Sequence, residues 1–260
     1  MNSKYVIDSA CGLAIATARC ALAYREVGVL LFTVFLFAAT ISQFVSASLE
    51  SAVPQGVDPQ QVAATIKANA QALTAFSYQQ RMQLQLKGET KKVTLNQMSY
   101  DINGNLQKTL LSEQPPAGAQ PSGGRIKRRI VAKKTGEFKE MMEEISALVK
   151  SYTELSPERL QASLKQAAFS AGQGDMDGSV QIVMQNVIQK GDSITIWIDR
   201  TTMLYRRALI ATTYEGNPVT TTANYATLTS GEGHMAQAIL NYAKKDVMVQ
   251  IDNSNYQRSQ

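Results

Sequence analysis

Histidine and cysteine, the residue types most often used for catalysis and metal binding, are scarce in this 260-residue chain. There are one histidine and two cysteines, so zinc clusters, His-based relays and disulfide scaffolds are excluded as the basis of its function. His234 stands in a glycine-flanked segment, GEGHMA, and we interpret it as a surface turn residue rather than a catalytic base or a ligand. We therefore expect a non-enzymatic protein without a cofactor.

Two glycine-containing segments begin ligand-binding loops without completing them. Asp175 and Asp177 have the spacing that opens a calcium loop, but Asn186 stands where the closing glutamate would be needed. Residues 172–174, GQG, lack the Lys-Ser/Thr pair of a phosphate loop. The sequence thus predicts neither a metal site nor a nucleotide site, and no two acids have the spacing of a hydrolase motif.

Positive charge is concentrated in one short segment. The chain has a formal net charge of +5, and six cations fall within ten residues: Arg125, Lys127, Arg128, Arg129, Lys133 and Lys134. The first four form a candidate surface for anionic lipid or a protein partner, and the alternative is an ordinary solvated strand or helix face. Because no aromatic residue interleaves the cluster, no base-stacking platform and no nucleic-acid partner are predicted.

The first 47 residues have the three-part layout of a secretory signal. Residues 27–41, VGVLLFTVFLFAATI, contain no charge; Arg25 precedes this run and small residues follow it. Val45 and Ala47 suit the positions before a signal-peptidase cut, so we predict cleavage between Ala47 and Ser48. Both cysteines lie in this leader, and neither directly follows the apolar run as lipidation would require.

Two other interpretations of the leader stay open. Extended to Val45, the apolar run has nineteen residues, which could just span a bilayer as an uncleaved anchor, and the segment could also be a buried core helix. Export or anchoring would place residues 48–260 in the periplasm or outside the cell, either free or attached to the inner membrane.

Residues 48–260 are predicted to form one domain that begins with a helix and three strands. Asp58-Pro59 starts a helix that ends near residue 75. Alternating polar and apolar residues predict strands over 77–88, 91–102 and 106–111, with a bulge near Asn96-Gln97 in the second strand. Residues 114–124, QPPAGAQPSGG, predict a flexible loop.

Two helices and about six more strands follow this loop. Apolar residues at helical spacing predict a helix over 137–149, and Ser156-Pro157 starts another that extends to about Ala168. From Ser179 onward the pattern is strand after strand with short turns. The fold class is therefore α+β: a curved antiparallel sheet, an unclosed half-barrel wrapped on helices, with an apolar cavity between sheet and helices. We predict these cavity residues: Met82, Leu84, Leu86, Met141, Ile145, Ile194, Ile196 and Ile198.

The sequence also resembles a known group of proteins. Residues 78–111, YQQRMQLQLKGETKKVTLNQMSYDINGNLQKTLL, with the middle helices and the closing VMVQIDNSNYQ, resemble exported bacterial proteins that are similar to the periplasmic lipoprotein-carrier superfamily, the LolA-like unclosed barrels. The resemblance covers residues 54–257. It implies a half-barrel that holds an acyl chain or another apolar ligand beneath helical lids.

Two functions follow as hypotheses, ranked ahead of a third, a hydrolase with an unrecognised carboxylate pair. The first is an envelope protein that binds a lipid, an acyl chain or a lipidated protein in the apolar cavity. The alternative is an envelope interaction protein that carries no cargo and uses the basic cluster on anionic lipid or a protein partner. Contact with a membrane is expected in both cases.

Overall fold

The computed structural model describes residues 59–114 and 125–259. These residues contain three α-helices: α1 (Pro59–Leu73), α2 (Arg125–Thr153) and α3 (Pro157–Lys165). They also contain ten strands: β1 (Phe76–Leu86), β2 (Glu89–Tyr100), β3 (Leu106–Gln114), β4 (Ala168–Ala171), β5 (Ser179–Gln185), β6 (Ser193–Asp199), β7 (Tyr205–Tyr214), β8 (Asn217–Thr227), β9 (Gly233–Tyr242) and β10 (Val247–Arg258).

The chain divides into two compact units. The described part of the first unit is residues 125–150, which form most of α2. In this unit Met142, Ile145 and Val149 are fully buried, and their spacing of three and four residues is that of one helix face. The described part of the second unit is residues 59–114 and 151–259, and it holds the whole sheet together with α1 and α3.

The ten strands form a single antiparallel sheet in the order β3-β2-β1-β10-β9-β8-β7-β6-β5-β4. Every neighbouring pair is consecutive in the chain except β1 and β10, which join the two ends of the second unit. Strands β3 and β4 form the two edges and do not pair with each other, so the sheet is open. The predicted α+β class with a curved, unclosed antiparallel sheet is confirmed, whereas the predicted leader helix lies outside the described residues.

Two hairpins have two-residue turns for which left-handed backbone is required. Lys87 and Gly88 join β1 to β2 with φ of 54° and 74°, and Glu215 and Gly216 join β7 to β8 with φ of 49° and 72°. Two consecutive positive φ values are typical of the type I′ turn, whose twist matches that of the flanking strands. Strand β8 begins directly after the second turn, at Asn217.

The helix boundaries differ from the prediction in two places. Helix α2 begins at Arg125 rather than near residue 137, because nothing from 125 onward breaks a helix except the exposed Gly136, which a helix tolerates at a modest cost. Helix α3 begins as predicted: the Ser156 hydroxyl caps it by accepting a hydrogen bond from the Arg159 amide. It ends at Lys165, and the following residues 168–171 form the edge strand β4, which we did not predict.

A buried carboxylate organises the loop between β5 and β6. Asp192, 2% exposed, accepts hydrogen bonds from the backbone amides of Val187 (2.6 Å), Ile188 (2.9 Å) and Gln189 (2.7 Å), and from the Tyr152 hydroxyl (2.7 Å). The same hydroxyl lies 2.6 Å from that of Thr212 on β7. Since four donors surround this carboxylate, its burial is fully compensated.

Gly172 provides a test of the fold at the end of β4. A Cβ atom at this position would lie 2.1 Å from the carbonyl oxygen of Met176 and 2.2 Å from the Ser179 hydroxyl oxygen. Backbone would have to shift to admit a methyl group, so we expect Gly172→Ala to lower the free energy of unfolding by about 1–3 kcal/mol. Chemical denaturation of the purified protein measures this change.

Gly136 is the matched control. It is helical, and a Cβ there would meet nothing within 4 Å, so Gly136→Ala should raise stability by about 0.5–1 kcal/mol. Equal effects of the two substitutions would show that the close approach at Gly172 is not a constraint.

Candidate functional site

One face of the sheet carries a continuous row of side chains, because directly paired residues point to the same side. The row runs through Met82, Ile251, Ala238, Ala223, Ala208, Ile196 and Ile182, which pair successively across β1, β10, β9, β8, β7, β6 and β5. All seven are buried. We call this side of the sheet the buried face.

The predicted cavity residues fall into two groups. Met82 and Leu84 on β1 are buried and Leu86 is half-buried, and Ile194, Ile196 and Ile198 on β6 are buried. These six lie on the buried face, but β1 and β6 are separated by four strands. Ile145 is fully buried and Met141 half-buried on α2, in the other unit. That these eight residues line one cavity stays a prediction.

The middle of the buried face carries short side chains. Ala208, Ala223 and Ala238, which we call the alanine row, stand side by side on β7, β8 and β9. Longer side chains flank the row, Ile196 on β6 and Ile251 on β10. Because strands are about 4.8 Å apart, the three methyl side chains form a buried band about 10 Å wide, in which the side chains are shorter than those of Ile196 and Ile251; we call this band the trough.

The trough continues along β8 from Ala223 toward the start of the strand, where the buried side chains are also small. Thr221 and Val219 follow Ala223 at two-residue spacing, and both are buried. Ile210 and Leu240 stand opposite Thr221 on the neighbouring strands. The sequence pattern gave no sign of this feature, because a trough depends on which residues pair across three strands.

Helix α1 is hydrogen-bonded to the sheet at one end of this face. Its buried residues Val62, Ala63 and Ile66 lie on one side of the helix. Asn69 both donates to the Gly233 carbonyl and accepts from the Gly233 amide, each at 2.7 Å. This two-bond contact fixes the C-terminal half of α1 at the start of β9.

Polar side chains occupy the buried face on β2, next to the edge strand β3, which contradicts our interpretation of β2. The bulge predicted near Asn96-Gln97 rests on a change of phase in the apolar residues, from Val93 and Leu95 to Met98. In the structure Lys92, Thr94, Asn96 and Met98 are all buried, in a single phase. A register shift does lie beside Asn96, but the extra residue is Leu111 on β3. Apolar residues alone therefore gave the wrong phase for this strand.

Three amide side chains form a row beside this edge, which we call the amide row: Asn96 on β2, Gln80 on β1 and Asn253 on β10. All three are buried. The Gln80 amide nitrogen donates to the Asn253 side-chain oxygen at 3.1 Å, and the Asn253 nitrogen donates to the Met235 carbonyl at 3.0 Å. Thr94 lies on the same face, two residues from Asn96 along β2 in the direction of Lys92.

His234 is not the surface turn residue that we predicted. It is 9% exposed and belongs to β9, where it pairs with Ala226 of β8. Its ring centroid lies 4.2 Å from that of Tyr256, which in turn stacks on Tyr78 at 4.7 Å. Burial lowers the pKa of His234, while a backbone hydrogen bond with Ala226 acts in the opposite direction.

The incomplete calcium pattern has a structural role in the described chain. The Asp175 carboxylate pairs with Arg207 at 2.9 Å, and the carbonyls of Asp175 and Asp177 accept hydrogen bonds from Arg206. Across residues 59–114 and 125–259, no group of three or more His, Cys, Asp or Glu side chains is arranged to hold a metal ion.

The basic cluster begins helix α2. Arg125, Lys127, Arg128 and Arg129 occupy four of its first five positions. Lys133 on the following turn is exposed and pairs with Glu137 at 3.8 Å. An anionic partner for the cluster stays a prediction, as does cleavage between Ala47 and Ser48, which lie outside the described residues.

No family model matches this sequence, and a search of curated proteins also finds no match. A solved LolA superfamily protein from Nitrosomonas europaea matches with 9% identity and a TM-score of 0.33, over 74% of this chain and 94% of its own. An outer membrane lipoprotein-sorting protein domain from Vibrio parahaemolyticus matches with 12% identity and a TM-score of 0.40, over 76% and 90%. A DUF1329 family protein from Desulfovibrio piger matches with 11% identity and a TM-score of 0.32, over 76% and 92%. Structures of the superfamily that the sequence resembles are therefore among those to which this chain is similar.

Within the described ranges, none of the helices combines the length and the apolar character needed to cross a bilayer.

The buried histidine makes stability depend on pH in a defined window. The pKa of His234 in the folded state lies below the ordinary value of 6.5. Below that pH, His234 therefore binds a proton more readily in the unfolded chain than in the folded chain. Stability should therefore be full above about pH 6.5 and should decrease as the pH falls below it. Denaturation midpoints measured between about pH 5 and 7.5 would show this slope, before most carboxylates titrate.

His234→Phe keeps a ring against Tyr256 and removes the titration. Because this is the chain's only histidine, the variant should show a flat profile in the same window. A slope equal to that of the unmodified protein would mean that another group causes it.

Proposed function

We propose that this chain is an envelope protein that binds a lipid, an acyl chain or a lipidated protein on the buried face of its sheet. The observation that carries the proposal is the alanine row. Three neighbouring strands place only methyl groups between Ile196 and Ile251. A trough of this kind suits a narrow, unbranched hydrocarbon chain, which a fully packed layer of isoleucines would exclude.

The energetics favour an apolar ligand of moderate length. Each methylene group that leaves water contributes about 0.8 kcal/mol, and a trough about 10 Å wide extended along β8 could cover most of an acyl chain. Part of this gain offsets the loss of translational and conformational freedom on binding. Specific affinity would then depend on contacts beyond the trough, as well as on the hydrocarbon.

The leader supports an envelope location. A charged start, a fifteen-residue uncharged run and a small-residue end are the features of an export signal. Export would bring residues 48–260 into a compartment bounded by membranes, where acyl chains and lipidated proteins are available as cargo.

Filling the trough tests the proposal. Ala223→Leu adds three carbon atoms at the centre of the alanine row and should weaken binding of 11-(dansylamino)undecanoic acid by about tenfold or more, since it displaces about two methylene groups of the ligand. A fluorescence titration measures the affinity. Ala223→Val, a smaller change, should give a smaller loss and guards against a failure to fold.

Thr222→Leu is the matched control, since the neighbouring residue on β8 points to the opposite face. It should leave the affinity unchanged. Equal affinities for the Ala223 and Thr222 variants, with both proteins folded, would contradict binding on the buried face.

The alternative, an interaction protein that contacts anionic lipid, is supported by one observation. Four cations occupy the first five positions of α2 and the exposed Lys133 and Lys134 follow on the next turn. Each cation near an anionic bilayer contributes about 1 kcal/mol. Replacing Arg125, Lys127, Arg128 and Arg129 by glutamine should therefore reduce pelleting with phosphatidylglycerol vesicles by about 100-fold or more at low salt.

A variant with the same change in net charge is the control. Lys67, Lys87, Lys190 and Lys245 are exposed and dispersed along the chain, so their replacement by glutamine should reduce pelleting far less. Equal losses in the two quadruple variants would show that net charge, and not the cluster, attracts the protein to the vesicles.

A further inference from the structure

The amide row lies on the buried face beside its apolar side chains. Asn96, Gln80 and Asn253 stand directly opposite one another on three adjacent strands, so the row is about 10 Å long. Gln80 and Asn253 lie two residues beyond Met82 and Ile251 on their strands. The amide row therefore borders the row of apolar side chains that leads to the trough.

The hydrogen bonds within the row leave several buried atoms without partners. Gln80 and Asn253 are oriented by their bond to each other and by the bond to the Met235 carbonyl. Among the residues that the structure describes, the Gln80 Oε1, the Thr94 Oγ1 and both side-chain amide atoms of Asn96 have no hydrogen-bond partner. Asn96 is 0% exposed, and Gln80 and Thr94 are 4% and 5% exposed.

Such atoms are costly, because each has given up its hydrogen bonds to water. Leucine in place of Asn96 and valine in place of Thr94 would have nearly the same shapes without this cost. The Gln80 side-chain oxygen can accept hydrogen bonds. The Asn96 side chain can donate through its amide nitrogen and accept through its oxygen, and the Thr94 hydroxyl can do either. These groups are complementary to a ligand that can both donate and accept hydrogen bonds.

The charge of the surroundings limits the class of ligand. No side chain in the amide row is charged, although charged groups border it on the same face: Lys92 forms an ion pair with Glu113 at 3.2 Å, and Lys108 on β3 stands opposite Met98. A carboxylate or phosphate brought to the row would lose its hydration, would find no opposite charge within the row, and would meet the like charge of Glu113 opposite Thr94. A hydroxyl, ester or amide group would not bear this cost.

We infer that the amide row and Thr94 bind the uncharged head group of an amphiphilic ligand, of the hydroxyl or amide class, which both donates and accepts hydrogen bonds, and whose hydrocarbon part lies on the buried face. This inference rests on the proposed function. It adds that the protein selects its ligand by a neutral hydrogen-bonding group close to the acyl chain.

Two palmitoyl probes test the inference: 1-monopalmitoylglycerol, which has an ester and two hydroxyl groups, and methyl palmitate, which has the same chain and no donor. Each is used to displace 11-(dansylamino)undecanoic acid from the full chain. We expect monopalmitoylglycerol to bind about tenfold more tightly, since a site built to pair polar groups discriminates against a ligand that leaves them unpaired.

Asn96→Leu should remove this preference while the affinity for methyl palmitate is retained. The same variant should raise the thermal midpoint of the unliganded protein by a few degrees, because an unpaired buried amide is replaced by an apolar group of similar size. Thr94→Val, a nearly isosteric change on the same strand, should reduce the preference in part. Gln97→Leu, on the opposite face of β2, is the control and should keep the preference.

The outcomes separate the inference from the proposed function. The inference is overturned if both probes bind with equal affinity, or if Asn96→Leu lowers the thermal midpoint and leaves the preference for monopalmitoylglycerol intact. The amide row would then stabilise the fold, and the proposed function would still stand. If neither probe displaces the dansyl ligand and the dansyl ligand itself does not bind, the proposed function fails and the inference fails with it.

Discussion

The alternation of side chains along a strand is the constraint on which the rest of this structure depends. Each pairing from β5 to β1 keeps the same face buried, and a slip of one residue between β8 and β9 would turn Ala223 away from Ala238 and interrupt the row. The trough exists only because these pairings agree across three strands. Hairpin turns of fixed length, such as Lys87-Gly88 and Glu215-Gly216, are what hold the register.

Three of the five interruptions in the pairing of the described strands lie at one end of the sheet. Extra residues occur at Arg206 on β7, at Ala236 on β9 and beside Asn255 on β10, all at the end where β9 begins. Bulges of this kind bend a strand and increase its twist. Aromatic side chains pack at the same end, Tyr205 on Tyr225 and Tyr78 on Tyr256. The bending of the sheet and its aromatic cluster thus occur together, and His234 is buried by that cluster.

The order of elements and most strand faces were predictable, whereas the features that distinguish this face were not. Isoleucines at 194, 196 and 198 predict a buried β6 because apolar alternation is strong there. On β2 the buried positions are Lys92, Thr94 and Asn96, so apolar alternation gives the opposite phase. His234 was misplaced because its flanking glycines suggest a turn, although Gly233 serves instead as the contact for Asn69. In each case the burial of the residue depends on contacts with residues distant in sequence, and a local sequence pattern contains no information about those contacts.

The two kinds of buried polar group in this fold differ in a way that bears on function. Asp192 is buried with four donors around it, three of them backbone amides of its own loop, and this arrangement satisfies a charge at the cost of little freedom. Asn96 is buried as deeply, yet both of its amide atoms lack partners among the described residues. The fold therefore can satisfy a buried polar group where the group holds a loop together. The bonds within the amide row leave the Asn96 amide and the Gln80 Oε1 unpaired among the described residues. A leucine at Asn96 would contribute more to folding, and the head-group binding inferred above is the role that the chemistry of these atoms fits.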